Sequence, residues 1–179
     1  AGYCNGKIFT LPFTYRSNVP ADRLMALTWQ AQIQRDLSDC LSLKLDGVES
    51  TTVYRQLGEG AFQAVMLDWR GAYPDPEAYL APLLSCKEAD GSVCKRGEAA
   101  ISGSFWTAPG LDNTLLRSDR SRGDDRQRDL ESVERMAAEG AAYIPVWLVT
   151  PRAWSSTALA TPEFDGNGQV VLARLQEVR

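Results

Sequence analysis

The 179-residue sequence contains no histidine. That removes the commonest general base, the commonest activator of a serine or cysteine nucleophile and the commonest metal ligand. Ser-His-Asp, Cys-His and Cys/His zinc sites are excluded within the chain. The four cysteines, Cys4, Cys40, Cys86 and Cys94, form no close Cys-x2-Cys pair, so no metal site is expected. No Walker A or dinucleotide-binding glycine motif is present, and no cofactor is expected. No block of Lys and Arg runs along a chain of net charge -4, which argues against a nucleic-acid partner. The apolar runs are too short to span a bilayer, so no membrane insertion is expected.

What is present suits one compact domain over residues 1–179, since 44% of the residues are hydrophobic. Four cysteines without metal spacing read as two disulfides, with three connectivities possible. Cys86 and Cys94 flank a polar stretch rich in Gly, Ser and Lys, which suits a local staple. By elimination Cys4 pairs with Cys40. The alternative is four buried free thiols. Disulfides imply an oxidising compartment. The abrupt start, Ala1-Gly2-Tyr3-Cys4, suggests a mature piece of a longer precursor.

The hydrophobic pattern predicts an α/β fold with a mainly parallel sheet flanked by helices. Residues Ile8 to Tyr15 alternate as a strand, and Pro12 suggests an edge position or a bulge. Ser17, Asn18 and Pro20 form a helix-start signature. Met25, Trp29, Ile33 and Leu37 then make an apolar helical stripe, with Leu24 and Ala26 beside it and Trp29 assigned to the core. Leu41, Leu43 and Leu45 alternate as a second strand, and Thr51 to Leu57 reads as a short helix. The apolar run Phe62 to Leu67 reads as a strand buried on both faces. Further along, Pro76 to Leu84 reads as a helix capped by Asp75, and Lys87 to Ser104 as loop. Asp112 to Leu116 and Asp124 to Glu139 read as helices, the latter with Leu130, Val133 and Ala137 inward. Tyr143 to Val149 and Gln169 to Val178 read as strands.

The stretch from Asp68 to Pro76, D-W-R-G-A-Y-P-D-P, follows the buried strand, where open parallel sheets bind ligands. Trp69 and Tyr73 can stack on a ligand, and Arg70 can pair a carboxylate. Asp68 and Asp75 offer an alternative, a hydrolase acid/base pair, which requires the two carboxylates about 5–9.5 Å apart in one pocket. A protein-interaction module on the same fold is the other alternative.

Three segments resemble the oligopeptide-, dipeptide- and nickel-binding family of extracellular solute-binding proteins. They are Tyr54 to Leu80, with its Gly-x-Phe strand and Trp-plus-Asp-Pro loop; Gly103-Ser104-Phe105-Trp106 with Asn113 and the Arg126–Ala138 helix; and Ala142 to Trp147. The resemblance implies the second, C-terminal lobe of a periplasmic binding protein, with residues from about 160 to 179 returning towards an absent first lobe. It implies a binding role and not catalysis, with a peptide or other small solute and an ABC transporter permease as partners. It implies a periplasmic or otherwise extracytoplasmic location. Trp69, Arg70, Tyr73, Phe105 and Trp106 are the ligand-binding candidates, with Tyr15 and Asn18 on the same rim and Trp147 as a core or hinge residue. One position departs from the family. Ala72 stands where peptide binders carry the aspartate that pairs with the peptide's amino terminus.

Overall fold

The computed structural model describes residue 4 and residues 6–178. Ala1 to Tyr3, on which the reading of an abrupt start rests, lie outside the described residues. In chain order the elements are β1 (Phe9–Arg16), α1 (Pro20–Asp36), β2 (Leu41–Val48), α2 (Ser50–Gln56), a 3-10 turn (Leu57–Glu59), β3 (Ala64–Val65), α3 (Glu77–Leu84), β4 (Glu88–Asp90), β5 (Val93–Arg96), α4 (Glu98–Ile101), α5 (Leu111–Ser118), α6 (Gly123–Glu139) and a 3-10 turn (Leu172–Arg174). They fall into two compact units. One comprises Ala1–Asp68 with Cys86–Trp106, the other Trp69–Ser85 with Thr107–Arg179.

The first unit is built on a parallel three-stranded sheet in the order β2-β1-β3. Parallel strands need a crossover, and α1 supplies it between β1 and β2. Pro20 opens that helix, where its missing N–H costs nothing and its fixed φ is already helical. The apolar face of α1 then covers the sheet. Ala26 is fully buried, and Met25, Trp29 and Ile33 pack on Phe13, Leu43 and Met66. The Phe13 and Trp29 rings lie 5.7 Å apart at 54°. Leu24 and Leu37, by contrast, are exposed.

Two strand expectations are corrected. β1, for which Pro12 suggested an edge position or a bulge, is the central strand and pairs with β2 in an unbroken register. Its odd residues point their amides at β2, since Phe9 N donates to the Cys40 carbonyl and Ser17 N to that of Val48. Pro12 therefore turns towards β3, whose ladder begins only at Phe13, so no bond is lost. The run Phe62 to Leu67, expected as a strand buried on both faces, pairs only at Ala64–Val65, and within it only Met66 is buried. The strand with both faces covered is the end of β1, where Phe13, Thr14 and Arg16 are all buried.

The stretch Lys87 to Ser104, expected as loop, contains the antiparallel hairpin β4–β5 and the short helix α4. Gly91 at its tip has φ +61°, a conformation open to glycine. Both expected disulfides are present, Cys4–Cys40 and Cys86–Cys94, and neither pair is a free thiol. The second closes the hairpin, with Cys94 fully buried against Ala99 and Ala100.

In the second unit, α5 packs against α6 and α6 against α3. Leu130, Val133 and Ala137 are the buried residues of α6 along with Asp129, as its pattern predicts. Two further strand expectations fail here. Tyr143 to Val149 has no strand, and Ile144, Leu148 and Val149 are 71%, 97% and 78% exposed. Trp147, read as core or hinge, is 45% exposed and so not a core residue. Gln169 to Val178 forms only isolated bridges, Phe164 to Val170 and Leu159 to Glu177, around a 3-10 turn. Apolar alternation makes a strand only where a neighbour completes a continuous ladder; the first run forms no bridge among the described residues, and the second pairs only at these single bridges.

Candidate functional site

At the carboxyl ends of β1 and β3 sits a charged cluster that the sequence reading did not find. Arg16, the last residue of β1, is 6% exposed, and Asp22, in the first turn of α1, is 3% exposed. The guanidinium grips the Asp22 carboxylate with Nε at 2.7 Å and Nη2 at 3.0 Å. Its Nη1 donates to the Tyr54 hydroxyl at 2.9 Å and to Asp68 Oδ1. Tyr54 donates in turn to the same Asp68 oxygen at 2.7 Å. The hydrogen bond to Asp22 raises the pKa of Arg16 against the opposing effect of burial. Burial pushes the Asp68 carboxyl up, but the Tyr54 hydroxyl and the Arg16 charge outweigh it and hold that carboxyl below its ordinary value. Burial and the bond to Asp68 raise the Tyr54 phenol. The two buried ions, Arg16 and Asp22, are paired with each other, which is the condition for burying charge.

The loop after Asp68 folds back on α3 in the second unit. Trp69 is 47% exposed and is anchored by its Nε1, which donates to the Ala78 carbonyl at 2.9 Å. Gly71 lies flat on the helix: a Cβ there would stand 2.7 Å from the Tyr79 ring and 3.2 Å from Ala78 Cβ. Asp75 caps α3, accepting from the Glu77 amide at 2.8 Å, and also pairs with Arg126 of α6 at 2.8 Å. The Arg126 bond and the Glu77 amide hold the Asp75 carboxyl below its ordinary value. The Tyr73 hydroxyl donates to Glu77, and that bond pushes the phenol up to about 12. Residues 165–168 form a turn, with Asp165 Oδ1 accepting from the amides of Asn167 and Gln169. Asn167 Nδ2 reaches the Ala72 carbonyl at 3.0 Å, so this turn holds the middle of the loop.

The candidates predicted from sequence fall into two groups. Trp69, Arg70 and Tyr73 stand exposed on the loop of the second unit. The others lie in the first unit, and three of them have structural work. Tyr15 packs on the sheet core, with its hydroxyl over Gly47. The Asn18 side chain does not cap α1. It accepts from the Ser50 amide and hydroxyl and donates to Glu49, fastening the β1 loop to the start of α2. Phe105 packs on the hairpin disulfide and against Gly60. Trp106 is half-buried and bridges Val93 of β5. A groove of about 430 Å³ in the second unit runs along Pro76, Leu80, Arg126 and Leu130, and none of the predicted ligand-contact residues lines it.

Among the described residues, no group of His, Cys, Asp and Glu could hold a metal ion, and no helix is long and apolar enough to cross a membrane. The hydrolase alternative needed Asp75 free in a pocket. Its carboxylate serves a helix end and an arginine instead.

The fold is that found in solute-binding proteins of ABC importers, the peptide- and dipeptide-binding kind. One such structure is the dipeptide binding protein from Pseudoalteromonas sp. SM9913 in complex with Met-Leu, with a TM-score of 0.72 and 22% identity over 99% of this chain and 34% of that one. The Escherichia coli murein tripeptide binding protein MppA gives 0.64 and 20%, over 79% of this chain and 25% of its own. NikA from Brucella suis, solved with Fe(III)-EDTA, gives 0.63 and 16%, over 94% and 32%. The chain therefore spans about a quarter to a third of the length of these structures. The sequence matches no family model and no curated relative.

Proposed function

We propose that this chain is the ligand-holding C-terminal lobe of an extracytoplasmic solute-binding protein that delivers a peptide or other small solute to an ABC permease. The observation that carries the reading is the fold match over 99% of the chain to a dipeptide binding protein three times its length. Two disulfides suit an oxidising, extracytoplasmic compartment. In this reading a further lobe of the same polypeptide closes over the solute, and residues from about 160 to 179 run back towards it. Trp69, Arg70 and Tyr73 are the proposed ligand contacts of the second unit, and Trp106 is the candidate of the first. A stacked indole, a guanidinium and a phenol suit a flat or anionic group of a small solute. The role is binding, with no catalytic step.

Calorimetric titration tests this. The full-length protein should bind a small solute, and residues 1–179 alone should bind it at least 100-fold more weakly, because half a clamp buries half the ligand. Equal affinity of the two would overturn the two-lobe reading.

A further inference from the structure

β2 is the outermost strand of its sheet, and its far side is open. The amides of Phe9 and Ser17 donate to the carbonyls of Cys40 and Val48, so the even residues of β2 turn their backbone groups to β1 and the odd residues turn theirs away. Among the described residues, the amides of Leu43, Leu45 and Gly47 and the carbonyls of Leu45 and Gly47 take no partner on that far side. Gln30 Nε2 covers the Leu43 carbonyl at 2.9 Å. A groove of about 290 Å³ lies along this edge, lined in part by Gln30 and Gln34 of α1 and Leu41 and Leu43 of β2. Open edges invite pairing, and proteins commonly blunt them with lysine, whose charge repels a second copy. β2 carries opposite charges instead. Lys44 and Asp46 flank Leu45 symmetrically, both exposed, on the face turned away from α1, and neither has an ion-pair partner among the described residues.

We infer that β2 pairs antiparallel with β2 of a second copy of this chain, about a two-fold axis through Leu45. In that register Leu45 faces the partner's Leu45 and Leu43 faces the partner's Gly47, each pair exchanging the N–H and C=O groups that now stand open. Lys44 falls opposite the partner's Asp46, and Asp46 opposite the partner's Lys44. These are the non-hydrogen-bonded positions, where side chains come closest and opposite charges attract. The same patch serves on both copies, and the pairing uses up both edges, so it closes at a dimer. α1 packs over both β1 and β2, so its two copies come to lie about 10 Å apart, a normal helix packing distance. Gln30 reaches Leu43, so Leu27, one turn earlier in α1, stands level with Leu45 and meets its copy near the axis. That contact would cover an apolar side chain that is 47% exposed in the single chain. The pairing goes beyond the solute-binding role and does not depend on it.

Sedimentation equilibrium of the full-length protein tests this, with Lys44→Asp, Asp46→Lys and the double variant carrying both changes. The wild-type mass should rise with concentration from one chain to two. Each single variant sets like charges opposite one another at both pairs and should raise the dimer Kd by at least about 10-fold. The double variant exchanges the two charges and should recover most of the wild-type affinity. Both side chains are exposed, so the variants should fold, and a thermal melt checks this. Hydrogen exchange supplies a second reading. The amides of Leu43, Leu45 and Gly47 should exchange more slowly in concentrated than in dilute solution, while those of Lys44 and Asp46, already turned to β1, should not respond to concentration. A single chain at every concentration, or a dimer that the single variants leave intact or the double variant fails to restore, would overturn the pairing. So would odd-residue amides that are slow at every concentration, because the edge would then be covered by the rest of the same polypeptide.

Discussion

Arg16 and Asp22 form a two-pronged ion pair whose side chains are 7% and 4% exposed, at the point where β1 hands over to α1. The pair ties the central strand to the helix that covers it. Removing one partner of a buried pair strands the other charge, at a cost of about 3–5 kcal/mol. Asp22→Asn should therefore lower the unfolding free energy by about 3 kcal/mol, the low end, because Asp68 still contacts Arg16. Asp68→Asn, at an exposed carboxylate, should cost under about 1 kcal/mol. Urea denaturation of both variants measures the contrast. Equal losses would mean that Asp68, not Asp22, anchors the guanidinium.

Acid should weaken the second unit through Asp75. Its carboxyl lies below the ordinary value in the folded chain, through the Arg126 bond and then the Glu77 amide. A depressed pKa stabilises above the unfolded value, about 3.9, and that stability is lost as pH falls through the folded value. The melting temperature should fall from pH 5 towards pH 3, and fall less steeply in Asp75→Asn. Parallel curves for the two proteins would exclude the pair as a source of acid sensitivity.

The two disulfides should differ in worth. Cys86 and Cys94 are 8 residues apart and Cys4 and Cys40 are 36 apart. The chain-entropy model assigns about 2.5 kcal/mol to the shorter loop and about 4 kcal/mol to the longer. Paired Cys→Ser variants, compared by denaturant unfolding, should show the larger loss for Cys4 and Cys40. The reverse order would place the value of the shorter bridge in the packing of Cys94.

Gly71→Ala should disturb the loop that carries Trp69 and Tyr73. The new methyl would meet the Tyr79 ring at 2.7 Å and Ala78 Cβ at 3.2 Å. The half-exposed Tyr79 ring can swing aside, but Ala78 is 1% exposed and cannot. Overpacking of this kind costs about 1–3 kcal/mol. Solute affinity of the full-length protein should fall with it. Unchanged affinity would show that the loop does not touch the solute.

Periodicity made the frame legible. Of the stripe Met25, Trp29, Ile33 and Leu37, all but the exposed Leu37 turn to the sheet, and in the alternation Leu41, Leu43, Leu45 the middle residue is buried and the outer two half-buried. The hairpin escaped because Glu88 to Arg96 is polar on both faces and hides only Cys94; Asp90-Gly91 at its tip was the available signal. Tyr143 to Val149 misled in the opposite sense, since apolar alternation there meets no ladder partner. Pro12 misled because an amide's direction depends on register, which one strand's sequence does not contain. The Arg16 cluster was hidden for a related reason. A charge at a strand end reads as solvated until the strand order puts Asp22, Tyr54 and Asp68 around it. Of the candidate site, the exposed Trp69–Tyr73 loop was readable as a strand exit rich in aromatic and cationic groups. Tyr15, Asn18 and Phe105 were readable only as residue types, and their packing and hydrogen bonds within the first unit depend on neighbours that their own segments do not reveal.

The central claim is that Trp69 and its loop hold a small solute in a two-lobed protein. Native mass spectrometry of the full-length protein, purified without denaturation, tests it most directly when wild type and Trp69→Ala are compared side by side. The expected result is one small solute per wild-type molecule, released on unfolding, with occupancy in Trp69→Ala reduced at least 10-fold at unchanged melting temperature. A wild-type protein that carries and binds no solute, or a Trp69→Ala protein with full occupancy, would contradict it.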